Sequence, residues 1–329
     1  MKKFLLVCSW VALSAVGASA QTYHAFIWSE STGMQDLGTL GGNSYATGIN
    51  KSGVVVGYYV SVSGGLRPFL WTQSGGMQDI GTLGGSSCVA LAINDSEQIA
   101  GWSTTAAGTV HAFLWSAATG MKDLGTLGGN SSSATAINNY GEVAGTSLKP
   151  GNHYNHAFLW NPKAGMTDLG ALAGRNSYAF GMNLAGAVVG ESLPTANPTP
   201  YHAFYRTKSG MIDLGTFGGV GSNANALNNS GVVVGFADLS GGNWDAFQWT
   251  KSGGMQDIAP AGSNYSTATA INSAGVIVGN YQLSSTSDNH AVIWTFSNQV
   301  QDLGVLGGTY STATGINDAG QVVGYSTLQ

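Results

Sequence analysis

The stretch HAFLWSAATGMKDLGTLGGNSSSATAINNYGEVAG, residues 111–145, decides the fold because edited copies of it follow one another along the whole chain. Each copy carries a His-Ala-Phe-x-Trp segment, an Asp-Leu-Gly segment or a relative of it, and an asparagine before a turn. The second landmark begins at Asp36, Asp79, Asp123, Asp168, Asp213, Asp257 and Asp302, with spacings of 43, 44, 45, 45, 44 and 45 residues. Repeats of this length are typical of propeller blades and of other repeat arrays. Seven copies occupy the chain from His24 to its end, so the sequence predicts one repeat domain and no second domain.

Each repeat reads as four short strands, as the first copy shows. Residues 24–28 alternate with a period of two, and residues 34–40 follow after a glycine-containing turn. Residues 44–50 and 54–58 form the remaining pair, joined by a turn with Asn and Gly at the positions that turns favour. Four strands in about 40–45 residues indicate a propeller blade. The predicted fold class is therefore an all-β, seven-bladed β-propeller.

The segment that ends at the landmark asparagine carries small side chains on one face in every copy. The column four residues before the asparagine reads Ala46, Ala90, Ala134, Ala179, Ala224, Ala268 and Ala313, and the column two residues earlier is serine except for Cys88. Because blades converge at the propeller axis, this segment is predicted to be the innermost strand. The mature chain begins with two outer strands and ends with an inner pair, so one blade is predicted to combine both ends. A parallel β-helix is the structural alternative, although its coils are usually shorter.

The first twenty residues have the order of a secretory signal peptide. Two lysines precede an apolar run over residues 4–16, and small residues end at a predicted cleavage site after Ala20. The apolar run is too short for a membrane anchor, and no other stretch is long enough to span a membrane. The predicted division is a signal peptide over 1–20 and a single propeller domain over 21–329, in an extracellular or periplasmic protein.

The composition argues against a nucleic-acid or anionic membrane surface. Removal of the signal peptide leaves 9 basic and 16 acidic residues, and negative charge repels phosphate groups. Only 8% of residues are charged and 50 are glycine, which suits short strands and tight turns. Cys88 is the only cysteine left after cleavage, so no intrachain disulfide is expected. The sequence gives no cofactor or metal motif, and we expect a monomer that needs neither.

Residues 111–115 (HAFLW) and 120–129 (GMKDLGTLGG) resemble the repeat of the bacterial HAF-repeat family of extracellular repeat proteins. The resemblance covers essentially the whole mature chain. It implies export and tandem repetition, but no reaction, ligand or catalytic residue. Some members of that family end in a cell-surface sorting segment, whereas this chain ends at Gln329 without one. The resemblance therefore favours a released or periplasmic protein.

Most residues that look chemical occupy repeated columns, which favours structural roles. Five histidines begin the His-Ala-Phe segments, at His24, His111, His156, His202 and His290. Seven-fold symmetry spreads them around a ring, whereas a zinc site needs three or four ligands within about 2.0–2.3 Å of one ion. We expect the histidines to make structural hydrogen bonds and the repeated aspartates to accept backbone N–H groups at strand ends. The repeated Met and Trp columns are expected in the core, and Cys88 is expected to pack rather than react.

Two residues break otherwise constant columns. Arg206 stands where the other six copies have tryptophan, and Glu97 stands where they have a turn glycine. Both are expected at the face of the inner turns. A side chain in place of that glycine predicts either backbone strain or a different turn, and sequence drift is the simpler interpretation of both exchanges.

The loops that lead from the fourth segment of one copy into the next His-Ala-Phe segment vary in length and composition. They are predicted on the face opposite the inner turns, and variable loops on a rigid scaffold are where binding residues usually lie. The candidate ligand-binding residues of this face are Arg67, Trp102, Tyr154, Arg175, Tyr201, Trp244 and Asp245. Aromatic side chains with few charges suit carbohydrate or peptide recognition. Ordinary solvated loops are the alternative interpretation.

Three hypotheses about function remain open. The first is an exported, non-enzymatic binding propeller whose partner is an extracellular carbohydrate, peptide or protein. The second is a structural protein of the envelope or matrix, for which an inert, symmetric surface suffices. The third is a propeller glycosidase or lyase, which needs two carboxylates, or a carboxylate with His or Tyr, near the axis. Because no catalytic motif occurs, the sequence favours the first hypothesis and predicts that the chain is not an enzyme.

Overall fold

The computed structural model describes residues 21–173, 175–195, 200–283, 288–295 and 299–329. This part of the chain consists of strands and turns, and it holds no helix long and apolar enough to cross a membrane. Its strands form seven antiparallel sheets of four strands each, arranged in a ring. The predicted all-β, seven-bladed propeller is confirmed. The predicted signal peptide lies outside the described residues.

The chain enters the ring through two strands of the closing blade and then builds six complete blades, each from the axis outwards. The first two strands are β1 (Tyr23–Ser29) and β2 (Gly33–Asp36). Blade 1 consists of β3 (Ser44–Ile49), β4 (Val55–Val60), β5 (Leu66–Thr72) and β6 (Gly76–Asp79). Blade 2 consists of β7 (Gly84–Ile93), β8 (Ile99–Thr105), β9 (Val110–Ser116) and β10 (Gly120–Asp123). Blade 3 consists of β11 (Ser132–Ile137), β12 (Val143–Leu148), β13 (Asn155–Asn161) and β14 (Gly165–Asp168). Blade 4 consists of β15 (Ser177–Met182), β16 (Val188–Ser192), β17 (His202–Thr207) and β18 (Gly210–Asp213). Blade 5 consists of β19 (Gly218–Leu227), β20 (Val233–Leu239), β21 (Trp244–Thr250) and β22 (Gly254–Asp257). Blade 6 consists of β23 (Ser263–Ile271), β24 (Ile277–Leu283), β25 (Asn289–Trp294) and β26 (Val300–Asp302). The last two strands are β27 (Ser311–Ile316) and β28 (Val322–Thr327).

Blade 7 is assembled from both ends of the chain. Its strand order is β2-β1-β28-β27, so the N-terminal pair lies outside and the C-terminal pair lies inside. Strand β1 pairs with β28 in antiparallel register from Tyr23 opposite Thr327 to Trp28 opposite Val322. The predicted composite blade is confirmed, and its ladder ties the ring shut.

The innermost strand of each blade is the one that carries the small side chains. Each inner strand contacts the inner strands of both neighbouring blades, and the contacts run around the full ring: β3, β7, β11, β15, β19, β23 and β27. The seven alanines four residues before the landmark asparagines are fully buried. A bulge follows each of them, as between Ala134 and Ala136. The prediction of the inner strand is confirmed, and the β-helix is excluded.

The outermost strand is shorter than the sequence pattern predicted. Strand β2 ends at Asp36, whereas the prediction ran to residue 40. The Gly38 N–H donates to Asp36 Oδ1 at 2.7 Å, and Gly38 has a φ of 71°, so the chain leaves the sheet at this point. All seven repeated aspartates accept the N–H two residues ahead in this way, which confirms their predicted role.

The inner-strand serines join neighbouring blades, and the contact between blades 1 and 2 explains the cysteine. In six blades the serine Oγ accepts an alanine N–H from the preceding blade, as Ser132 accepts from Ala112 at 2.8 Å. In the seventh contact the alanine is replaced by Pro68, which has no N–H, and the serine is replaced by Cys88. Cys88 is fully buried, and burial raises the pKa of its thiol to about 12. The cysteine is therefore a packing residue of an altered blade contact.

Restoring the common pair should show that Pro68 and Cys88 are energetically coupled. Pro68→Ala alone places a buried N–H beside a weak sulfur acceptor, and we expect it to lower the free energy of unfolding by about 1–2 kcal/mol. Adding Cys88→Ser restores the Oγ acceptor, so the double variant should recover about 1 kcal/mol over the sum of the single changes. Urea denaturation of the four proteins measures this coupling, and strict additivity would contradict it.

The seven landmark asparagines form a closed hydrogen-bonded ring at the inner-turn face. Each Nδ2 donates to the carbonyl oxygen of the equivalent asparagine in the next blade, and the series that starts at Asn50 closes when Asn317 donates back to it at 3.0 Å. The Oδ1 atoms accept backbone N–H groups of their own turns, as Asn50 accepts from Ser52 and Val54. All seven side chains are buried. The residue predicted for a turn therefore also joins each blade to the next.

Glu97 has a left-handed backbone conformation in a turn of the usual form. Its φ is 57°, and the six equivalent glycines have φ values from 73° to 85°. Its N–H donates to the Asn94 carbonyl at 3.1 Å, as the Gly53 N–H donates to the Asn50 carbonyl at 3.1 Å. A side chain in this region costs about 1–2 kcal/mol relative to glycine. Of the two alternatives drawn from the sequence, backbone strain is confirmed.

Glu97→Gly should stabilise the protein. Relief of the strained φ outweighs the greater freedom of glycine in the unfolded chain, so we expect a gain of about 0.5–1 kcal/mol. Gly231→Ala is the matched opposite change, because φ is 81° and a Cβ there would meet no atom within 4 Å. It should cost about 1 kcal/mol. Thermal denaturation of both variants checks the signs, and a destabilised Glu97→Gly protein would contradict the account of strain.

Candidate binding site at the loop end of the blades

A histidine–aspartate pair joins the two outer strands in five blades. Histidine Nδ1 lies 2.7–2.9 Å from the carboxylate of the repeated aspartate, in the pairs His24–Asp36, His111–Asp123, His156–Asp168, His202–Asp213 and His290–Asp302. The predicted structural hydrogen bonds of this column are confirmed. In blade 1 Arg67 takes the place of histidine and binds Asp79 through Nε at 2.8 Å and Nη2 at 2.9 Å. The candidate residue Arg67 therefore lies on β5, and its guanidinium group is paired with Asp79 of β6 in the same blade.

Blade 5 has a second carboxylate where the other blades have histidine or arginine. Asp245 occupies that position on β21, and it is close enough to Asp257 for the two carboxylates to repel each other. Burial of the carboxyl group, together with the Asp257 charge, raises the pKa of Asp245. The candidate residue Asp245 thus belongs to an altered form of the repeated pair.

Arg206 preserves a hydrogen bond between blades. Its Nε donates to the Leu169 carbonyl of the preceding blade at 3.3 Å. In the equivalent position of blade 6, Nε1 of Trp294 donates to the Ile258 carbonyl at 2.7 Å. The exchange of tryptophan for arginine therefore keeps an N–H donor at this position. This hydrogen bond between blades does not indicate a ligand.

The axial channel opens at the inner-turn face into a cavity of about 280 Å³. Its wall contains the asparagine ring and the residues that follow each asparagine. These residues extend the contacts between blades, as the Asp95 N–H donates to Asn139 Oδ1 at 3.0 Å. A second chamber of about 210 Å³ lies between the inner strands and is lined largely by apolar side chains. The polar groups of this end of the channel are thus used in holding the blades together.

At the opposite end, three positions in each blade change identity from copy to copy, and we call these twenty-one positions the loop-end belt. On the inner strands they are Tyr45, Val89, Ser133, Tyr178, Asn223, Thr267 and Thr312. Opposite them on the second strands are Tyr58, Trp102, Thr146, Glu191, Phe236, Asn280 and Tyr325. Immediately before the histidine column are Tyr23, Leu66, Val110, Asn155, Tyr201, Trp244 and Asn289. The symmetry of the propeller breaks at this belt, next to the variable loops.

Tyrosines of the belt pack across the seam that closes the ring. Tyr45 stacks on Tyr58 with ring centroids 4.9 Å apart, and it meets Tyr325 of blade 7 edge-on at 5.0 Å. The ring centroid of Tyr23 lies within 6.0 Å of the ring centroids of Tyr45, Tyr310 and Tyr325. This part of the belt therefore strengthens the contact between the two chain ends.

Trp244 packs between blades 5 and 6. Its ring centroid lies 4.3 Å from that of Tyr265 and 6.2 Å from that of Phe236. The candidate tryptophan is thus half-buried at the start of β21, with one face covered by an aromatic neighbour.

A polar cluster lies where blades 3, 4 and 5 meet, and we call its five residues the Glu191 cluster: Asn155, Tyr178, Glu191, Tyr201 and Asn223. Asn155 Nδ2 donates to the Tyr178 hydroxyl at 3.2 Å, and the rings of Tyr178 and Tyr201 meet edge-on at 5.5 Å. Asn223 Nδ2 of blade 5 donates to Glu191 Oε2 of blade 4 at 3.1 Å. Burial raises the pKa of Glu191 to about 7. Carboxyl groups perturbed in this way concentrate at functional sites.

Two acceptor atoms of the Glu191 cluster are buried without a hydrogen-bond partner. They are Asn155 Oδ1 and Asn223 Oδ1, and within the described residues the same is true of His156 Nε2. Buried polar atoms are nearly always partnered, so unpaired ones indicate either strain or a function that uses them. Both amide oxygens belong to the belt.

The candidate residues drawn from the sequence are spread over this face. Three of them, Trp102, Tyr201 and Trp244, belong to the belt as defined above. Trp102 lies on β8, and Tyr201 lies beside Tyr178. Tyr154 is 44% exposed in the loop before β13, and Arg175 is exposed in the loop before β15. The structure joins only Tyr201 to the Glu191 cluster, and a ligand-binding role of the seven residues stays a prediction. Sequence reasoning missed the other members, although each stands in a column that changes identity beside constant alanine and glycine columns.

No protein-family model matches the sequence, and no curated protein is similar to it. Several solved structures are similar in fold. A TolB candidate from Agrobacterium tumefaciens has a TM-score of 0.53 and 9% identity over 94% of this chain and 100% of its own. The propeller domain of the Trilobed protease from Pyrococcus furiosus has a TM-score of 0.55 and 9% identity over 82% of this chain and 85% of its own. At these identities the likeness shows the fold alone, that of a β-propeller protein.

The prediction that the chain is not an enzyme is wrong. A puromycin hydrolase is similar in fold, with a TM-score of 0.52 and 12% identity over 84% of this chain, which spans 48% of that protein. Together with the protease propeller, it shows that proteins with similar propellers include enzymes. The prediction relied on the absence of short catalytic motifs. Such motifs reveal only sites whose residues lie close together in the sequence, and the fold alone does not decide function.

Proposed function

We propose that this chain is an exported binding protein that holds a peptide or protein segment against the loop-end belt. The observation that carries the proposal is the loss of symmetry there: equivalent positions differ between blades, whereas the other repeated positions are engaged in the fold. Rigid scaffolds place their binding residues at such variable ends. Export rests on the order of charged, apolar and small residues over 1–20.

The chemistry of the belt favours a peptide over a carbohydrate. Sugars stack on open aromatic faces, but here Tyr45 is covered by Tyr58 and Trp244 by Tyr265. Unpartnered amide oxygens suit a ligand that donates N–H groups, as peptides do along their whole length. An inert structural surface would not need a belt that differs from blade to blade.

Binding should be lost when belt residues are exchanged for those of other blades. The mature protein, residues 21–329, is screened against a random peptide library and, in parallel, a panel of glycans and cell-wall fragments. Trp102→Thr and Trp244→Val copy the residues of blades 3 and 2, so the scaffold should tolerate them. We expect the double variant to bind the selected peptides at least about tenfold more weakly, because it loses two large contact surfaces.

The control variant is Tyr140→Ser, which removes a side chain that is 72% exposed at the inner-turn face and copies blades 1 and 2. It should bind as the unaltered protein does. Loss of binding in this variant but not in the double variant would move the site to the inner-turn face. Capture of glycans alone would replace the peptide by a carbohydrate.

A further inference from the structure

Glu191 is an acidic residue between two blades that has no cationic partner among the described residues. The hydrogen bond to its carboxylate comes from Asn223, and burial is the main influence on its ionisation. The internal segments outside the description, residues 174, 196–199, 284–287 and 296–298, contain no Lys, Arg or His. Asp168, by contrast, pairs with both Lys149 and His156. Enclosed carboxylates are rarely left unpaired in proteins, so a missing cation sets Glu191 apart.

The buried polar atoms of the Glu191 cluster that lack a hydrogen-bond partner are both acceptors. Asn155 Oδ1 and Asn223 Oδ1 lack partners, and the amide nitrogens of the same two side chains are already engaged with Tyr178 and Glu191. A ligand that satisfies these two oxygens must therefore donate hydrogen bonds. Next to a carboxylate, a donor that also carries positive charge is favoured most.

The aromatic rings of the cluster add a second attraction of the same sign. Tyr178 pairs directly with Glu191 across the β15–β16 ladder, and the ring of Tyr201 stands at 71° to that of Tyr178. The face of a tyrosine ring attracts cations within about 6 Å of its centroid. Carboxylate, amide oxygens and ring face thus converge on one ligand chemistry.

We propose that the Glu191 cluster binds the ammonium or guanidinium group of a lysine or arginine side chain in the bound peptide. Glu191 supplies the opposite charge, the amide oxygens of Asn155 and Asn223 accept the N–H groups, and the tyrosines enclose the cation. The inference rests on the proposed function and deepens it, because it names the part of a peptide that this end of the propeller selects.

The ionisation of Glu191 gives the site a pH dependence. Burial raises the pKa of Glu191 to about 7, so the carboxyl group is mostly neutral below that value and mostly ionised above it. Tyr178 and Tyr201 are the other titratable groups of the cluster, and burial raises the pKa of Tyr178 above its usual value of 10.0. A cation pairs with the ionised carboxylate, so its affinity should rise as the pH increases through 7. Alkylammonium and alkylguanidinium ions stay protonated throughout this range.

The experiment uses small probes that carry only the proposed group. The mature protein is titrated with n-butylammonium, n-butylguanidinium and 1-butanol up to 50 mM, at pH 5.5 and pH 8, and the side-chain carbon resonances of glutamate and tyrosine are followed by NMR. We expect both cations to bind at least about tenfold more tightly than butanol at pH 8. The preference should fall by at least about tenfold at pH 5.5, where little Glu191 is ionised.

Glu191→Gln keeps the shape of the side chain and should abolish both the preference and its pH dependence. Glu142→Gln is the matched control, because Glu142 Oε2 also accepts an asparagine Nδ2, at 2.8 Å, but at the inner-turn face. It should bind the cations normally. Equal binding of cations and butanol, or unchanged binding by Glu191→Gln, overturns the proposal.

The two proposals fail in different ways. If the peptide screen succeeds but the selected peptides show no excess of Lys or Arg and tolerate Glu191→Gln, the belt binds peptides and the cation site is wrong. If the small cations bind but no peptide does, the cation site stands and the peptide function is wrong.

Discussion

Gly145→Ala is expected to lower the free energy of unfolding by about 4 kcal/mol or more, a large share of the total for a domain. Gly145 belongs to a column that is glycine in all seven blades: Gly57, Gly101, Gly145, Gly190, Gly235, Gly279 and Gly324. A Cβ at residue 145 would lie 2.1 Å from the Ser133 carbonyl oxygen and 2.8 Å from Cζ of Phe158. The carbonyl belongs to the ladder with the inner strand, and Phe158 is fully buried. Neither can move without separating strands or displacing the core.

Gly241→Ala is the control for this prediction. Gly241 lies in the loop between β20 and β21, and a Cβ there would meet no atom within 4 Å. Its effect should stay within about 0.5 kcal/mol. Guanidinium unfolding followed by tryptophan fluorescence measures both variants. Wild-type stability of Gly145→Ala would show that the strands can relax around a methyl group, and the glycine column would then need another explanation.

The fold was predictable because a repeat states each structural requirement seven times. A single alanine at residue 134 would indicate little, but seven small residues in one column indicate converging strands. The glycine column was equally visible and was missed, because glycine in a strand suggests a bulge unless its partner strand is known. The phenylalanine that covers it becomes evident only from the register, in which Gly145 lies opposite Phe158.

The candidate site was less predictable because its residues meet through packing. Glu191 and Asn223 are 32 residues apart and come from neighbouring blades, so no short motif joins them. Arg67 was chosen as a residue of a variable loop, yet it stands 12 residues before Asp79, the usual spacing of the histidine–aspartate pairs. That spacing was sufficient to predict its partner. Sequence repeats thus reveal which residues belong to the fold more readily than which residues belong to a ligand.

Asn138→Ala is expected to cost about 3 kcal/mol, the second large effect on stability. Asn138 Oδ1 accepts the N–H groups of Tyr140 and Glu142 at 3.0 Å each, and Nδ2 donates to the Asn183 carbonyl and to Glu142 Oε2. Alanine leaves the buried groups among these partners unsatisfied, at about 1–3 kcal/mol for each. The neighbour Asn139 is exposed and bonds to Asp95 through both side-chain atoms, so Asn139→Ala should cost less than about 1 kcal/mol.

A second variant separates the turn from the ring of asparagines. Asn228 makes the same bonds without an acidic neighbour: Oδ1 accepts from Ser230 and Val232, and Nδ2 donates to the Asn272 carbonyl at 3.3 Å. Asn228→Asp keeps the acceptor for the turn but sets a carboxylate oxygen against that carbonyl. If the ring joins the blades, this variant should be destabilised at pH 7 and should recover when acid restores a donor. Equal stability of Asn228→Asp and the unaltered protein would confine the asparagine to its own turn, and the contact between blades would then depend on packing and on the other hydrogen bonds between blades, such as those of the inner-strand serines.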